Sequence, residues 1–79
     1  MNERETGFRR WLTDFLEQNQ GTISYYEALN SGAYHCDCSQ TTIGRYLKKW
    51  AYSREILFVP TGDKTMNGHL IYNVKLNQT

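Results

Sequence analysis

The chain lacks most of the features that assign a small protein to a specialised class. Its 79 residues hold only two cysteines, Cys36 and Cys38, a spacing so close that a disulfide between them would be strained. The disulfide framework of small secreted domains is therefore excluded. No run approaches the roughly 20 apolar residues of a membrane span, and the polar start Met1-Asn2-Glu3-Arg4-Glu5 has no signal-peptide apolar region. A soluble, cytoplasmic protein is the expectation. Repeats, low-complexity tracts and interdomain linkers are missing as well, so one domain over residues 1–79 is expected. There is no Gly-rich phosphate loop, no H-E-x-x-H and no G-x-S-x-G. No set of nucleophile, base and orienting group stands out, and Asp14 and Glu17 fall on the polar side of a helix. The expectation is a protein that is not an enzyme and carries no cofactor.

What is present is aromatic. Eleven Phe, Trp and Tyr residues supply a small core, because each large ring buries far more apolar area than an aliphatic side chain. The net charge of +1 hides an asymmetry. Up to Cys38 three arginines stand against six carboxylates, giving −3, whereas from Ser39 onward six cations stand against Glu55 and Asp63, giving +4. A basic half is a hint of nucleic-acid contact.

Periodicity orders the chain. A first helix is expected from about Thr6 to Gln18, with Phe8, Trp11, Leu12, Phe15 and Leu16 on one stripe and Arg9, Arg10, Thr13, Asp14 and Glu17 on the other. Asn19-Gln20-Gly21 ends it, and Thr22-Ile23 is long enough only for an edge strand or an extended link. Ser24-Tyr25-Tyr26-Glu27 matches a capping box and opens a short second helix through Ala28 and Leu29, which Asn30-Ser31-Gly32 should stop. A connector from Ala33 to Cys38 follows. Ser39 then caps a third helix reaching Trp50 or Ala51. Beyond it, Ile56-Leu57-Phe58-Val59 reads as a strand closed by Pro60. Alternation of Leu70, Tyr72, Val74 and Leu76 with Ile71, Asn73 and Lys75 reads as another. Thr61 to His69 is expected to be a polar loop with an Asn67-Gly68 turn. The fold class is thus α+β, and Phe8, Leu12, Phe15, Leu16, Leu29, Ile43, Leu47 and Trp50 are its expected core.

At about 100° per residue, the third helix has two chemically different faces. Ile43, Tyr46, Leu47 and Trp50 cluster on one side; Thr41, Arg45 and Lys48 lie opposite, flanked by Thr42 and Lys49. Hydroxyls, a guanidinium and ammoniums together can reach base edges and phosphates in a DNA major groove. The order helix, short strand, helix, helix, hairpin, with Ser-x-x-Thr-Ile-x-x-Tyr-Leu-x-x-Trp from Ser39 to Trp50, resembles the winged helix-turn-helix domains. That resemblance covers nearly the whole chain. It implies three helices, a short edge strand and a C-terminal hairpin, the wing. It also implies a duplex-DNA-binding function in transcriptional or mobile-element regulation, with the helix at 39–51 in the major groove and the wing at 61–69 on backbone or minor groove. Carried over by position, Gln40, Thr41, Thr42, Arg45, Lys48 and Lys49 are the groove and phosphate candidates, with Lys64, Thr65 and Asn67 on the wing. The alternative is a winged-helix module that packs on a protein partner within a larger assembly or parent chain, supported by the acidic first half. A monomer is expected in isolation, because no spare long helix is left for dimerisation.

Two features depart from the family pattern. The connector from Ala33 to Cys38 is longer than the tight turn of a helix-turn-helix, and Gly44 inside the third helix costs roughly 1 kcal/mol relative to Ala. Its missing Cβ would let a phosphate backbone or another helix approach. His35, Cys36 and Cys38, with His69, invite a metal reading. Structural zinc sites space paired cysteines by two to four residues, however, so no metal is expected and the cysteines are assigned to a half-buried connector.

Overall fold

A computed structural model describes residues 2–77; Met1, Gln78 and Thr79, which the expected domain includes, lie outside them. Asn2 starts helix α1, Glu3–Gln18, by accepting the Glu5 N–H at its side-chain oxygen, 2.7 Å away. With that cap and two glutamates in the first turn, where the helix dipole favours negative charge, the helix begins three residues before the expected Thr6. Gln20 and Gly21, both with positive φ, turn the chain out of it. Strand β1, Ile23–Ser24, leads into helix α2, Tyr25–Cys36, where the Ser24 hydroxyl accepts the Glu27 N–H at 3.1 Å.

Helix α2 does not stop at Gly32. That glycine is buried within the helix, and a Cβ on it would stand 2.5 Å from the Phe8 ring. Its role is close packing against α1, and the left-handed residue that ends α2 is Asp37, with φ 52°. The expected connector over Ala33–Cys38 is therefore mostly helix. Only Asp37, Cys38 and Ser39 separate α2 from helix α3, Gln40–Tyr52, so the first departure from a tight turn disappears. Ser39 caps α3 as expected, accepting the Thr42 N–H at 3.1 Å.

Strands β2, Ile56–Lys64, and β3, Leu70–Leu76, complete a three-stranded antiparallel sheet of order β1-β3-β2. Val74 is central, paired with Ile23 on one side and Phe58 on the other. Pro60 was expected to close β2 but lies inside it, tolerated because β2 is an edge strand with a side that needs no N–H. Between the pairs Pro60–Tyr72 and Lys64–Leu70, three residues of β2 face Ile71 alone. Gly62, at φ +90°, allows this bulge, and the Thr61 hydroxyl donates across it to the Ile71 carbonyl at 3.0 Å. The loop expected over Thr61–His69 is thus reduced to a turn. Thr65 N–H donates to the His69 carbonyl at 2.8 Å and Gly68 N–H to the Thr65 carbonyl at 2.9 Å.

The α+β class is as expected, with three helices on one sheet. The buried core joins Phe8, Leu12 and Leu16 of α1, Ala28 of α2, Ile43, Leu47 and Trp50 of α3, and Ile23, Ile56 and Val74 of the sheet. Phe8 and Trp50 stack with centroids 5.4 Å apart. Phe15 and Leu29, expected inside, are half-buried against its rim. No helix among the described residues is long and apolar enough to cross a membrane.

Candidate nucleic-acid interface

Helix α3 is oriented by what it buries. With Ile43, Leu47 and Trp50 in the core, its geometry leaves Thr41, Arg45 and Lys48 exposed on the other side. Gln40, Thr41, Arg45 and Lys48 line one groove of about 430 Å³ between α2 and α3, together with Tyr25, Leu29 and Gly44. No carboxylate lines it. Gly44 therefore faces α2: a Cβ there would meet Leu29 and the Tyr25 hydroxyl, each at 3.6 Å. Both are ordinary contact distances, so α2 lies beside Gly44 without requiring its missing Cβ.

The other candidates are placed differently. Gln40 lines the groove while its side-chain amide donates to the Asn30 side chain of α2. Thr42 is half-buried, with its hydroxyl 3.0 Å from that of Ser39, so it belongs to the helix cap. Lys49 reaches back to α1, where its ammonium donates to both carboxylate oxygens of Glu5 at 3.0 and 3.2 Å. Lys64 ends β2, and Thr65 and Asn67 lie in the hairpin turn; the Thr65 hydroxyl accepts the His69 N–H at 3.2 Å. Apart from Thr42 and Lys49, the site residues thus form two groups on separate elements: the α3 groove face and the hairpin tip.

Glu5 was not anticipated as a buried residue. Its carboxylate also accepts the Trp50 indole N–H at 3.1 Å, 45 residues away in sequence. Burial pushes its pKa up, but the bonds from Lys49 and Trp50 and the lysine charge outweigh it, and the net direction is down. A signal existed: Glu5 continues the stripe Phe8, Leu12, Leu16 towards the N-terminus, and an acid on such a stripe needs a partner. Arg9, assigned to the solvated face of α1, pairs with Glu55 and lies over the Trp50 ring, 5.6 Å from its centroid. The Ser53 hydroxyl and Arg9 hold the Glu55 carboxyl below the usual range. Among the described residues the ion pairs are Arg9–Glu55 and Lys49–Glu5. Arg45, Lys48 and Lys64 carry charges that no such pair neutralises.

The cysteines sit apart from this face. Both are half-buried and unbonded, and the Cys36 thiol is pushed up in pKa by burial and by Cys38. His35 stacks on Trp11 at 5.4 Å rather than turning to the thiols, and His69 is on the hairpin. No three His, Cys, Asp or Glu side chains among the described residues are grouped so as to hold a metal ion.

No protein-family model, curated protein or solved structure matches the chain.

Proposed function

We propose that this chain is a non-catalytic winged helix-turn-helix domain that binds duplex DNA, serving transcriptional or mobile-element regulation. The observation that carries this reading is the division of α3: Ile43, Leu47 and Trp50 are buried, while Thr41, Arg45 and Lys48 face out from a groove without carboxylates. The three-residue turn between α2 and α3 supports it. In this reading α3 enters the major groove and Arg45, one turn after Thr41, contacts a guanine by its two parallel N–H donors. The hairpin tip, with Lys64, Thr65 and Asn67, holds the backbone or minor groove.

Competition binding with preferred and random duplexes at two salt concentrations tests it. Arg45→Ala should weaken the preferred site by roughly 1–3 kcal/mol and change random-sequence binding less. The second reading, a winged-helix module for a protein partner, is favoured by Leu57 and Val59, which lie exposed two residues apart on one side of β2. If the parent binds no duplex at low salt, that second reading replaces the first.

A further inference from the structure

The groove between α2 and α3 is lined by Tyr25 from one helix and Lys48 from the other. The Tyr25 ring is held edge-on by Tyr26 at 5.9 Å and by Phe58 of β2 at 5.5 Å. Two contacts from different elements leave it little freedom, and they direct the phenol at α3. It meets α3 at its single interior glycine, where a Cβ on Gly44 would be 3.6 Å from the hydroxyl oxygen. Lys48 follows Gly44 by four residues and Thr41 precedes it by three, so both stand on the same side of the helix. All four residues line the one groove. One ammonium, two hydroxyls able to donate and no carboxylate are the chemistry of a phosphodiester oxygen site.

We propose that this notch seats one backbone phosphodiester of duplex DNA, with Lys48 supplying the charge and the Tyr25 and Thr41 hydroxyls donating to the phosphate oxygens. The assignment rests on the DNA reading above and adds to it a residue of α2. It divides the work along the groove: Arg45 reads a base, while Tyr25 and Lys48 set the depth and register of α3 without reading sequence. Gly44 keeps the notch open. A purely structural tyrosine would need only its ring, which phenylalanine supplies equally well.

Duplexes carrying one neutral methylphosphonate at successive linkages test the seat. The parent should show a linkage at which neutralisation weakens binding. Tyr25→Phe should melt like the parent, bind preferred and random duplexes alike about tenfold more weakly, and lose much of the penalty at that linkage. Lys48→Ala should lower the slope of log K against log salt by about one. If the parent binds DNA but Tyr25→Phe keeps its affinity and its methylphosphonate profile, the seat is overturned and the DNA reading stands. A parent that binds no duplex at low salt overturns both. Inorganic phosphate is the control probe: if it shifts the Tyr25 and Lys48 resonances in a parent without duplex affinity, the notch is a free-anion site and the DNA assignment fails.

Discussion

Two glycines inside helices behave in opposite ways, and single substitutions separate them. Gly44→Ala gains roughly 1 kcal/mol of helix propensity, and its new methyl meets Leu29 and Tyr25 at an ordinary 3.6 Å. Urea unfolding should show a variant at least as stable as the parent. Gly32→Ala gains the same propensity, but its methyl would fall 2.5 Å from the fully buried Phe8 ring. Overpacking of that kind costs about 1–3 kcal/mol, so this variant should unfold at lower urea than the parent. Glu5 makes a second residue-scale case. Removing its carboxylate by Glu5→Ala strands the buried Trp50 N–H and should cost about 1–3 kcal/mol at neutral pH. Because the folded pKa of Glu5 lies below its ordinary value, its contribution is complete above the usual carboxylate range and is lost as pH falls through the folded value. The stability gap between parent and variant should therefore narrow on acidification, measured by unfolding at several pH values. A constant gap would mean that ionised Glu5 stabilises nothing.

The elements differ in how they hold their candidate residues. Helix α3 is fixed by its core side and by Ser39 at its start, so Arg45 projects from a rigid base. The hairpin is fixed at one end by Ile56, Phe58 and Val74 and extends past the bulge at Thr61–Asp63 to a tip where Met66 is fully exposed. A cation at the end of such a ribbon acts through charge rather than through a precise pose. Lys64→Ala should consequently weaken all duplexes similarly and reduce the salt slope by about one, whereas Arg45→Ala acts on selectivity. Anisotropy titrations across salt concentrations read the difference. An equal loss of selectivity in both variants would contradict the division between helix and hairpin.

The molecule as a whole holds together by one core and a few long-range polar ties. Two ion pairs tie its acidic first part to its basic second part, Glu5 with Lys49 and Arg9 with Glu55, and because they run in opposite senses the charges of −3 and +4 remain. Among the described residues Arg4, Arg10, Arg45, Lys48, Arg54, Lys64 and Lys75 stand in no ion pair, and of these Arg45 and Lys48 share the α3 groove. His35 is stacked on Trp11, and among the described residues the thiols do not converge with other metal-ligating side chains. A strong chelator should leave the melting temperature unchanged, and a drop would establish a metal bound in a way this fold does not provide.

Local chemistry by itself determined the α+β class, the element order, the stripe of α1, the Ser24 and Ser39 caps and the two faces of α3. Each depends on residues within one or two turns of one another, where periodicity and side-chain bonding to the nearby backbone act without help from the rest of the chain. Tertiary structure decided everything that depends on distant partners. Gly32 reads as a stop until Phe8 of α1 occupies the space beside it, and Pro60 reads as a strand end until β2 becomes an edge. Of the candidate site, Thr41, Arg45 and Lys48 were legible because exposure on α3 is the complement of its apolar face. Lys49 flanked them by angle and was read as a fellow contact, yet the Glu5 carboxylate that engages it lies 44 residues away in sequence. Tyr25 was legible only as part of the capping box from Ser24 to Glu27, because its hydroxyl gained a setting when α2 packed beside Gly44. A residue's spacing sets which way it points, and only packing sets what it meets there.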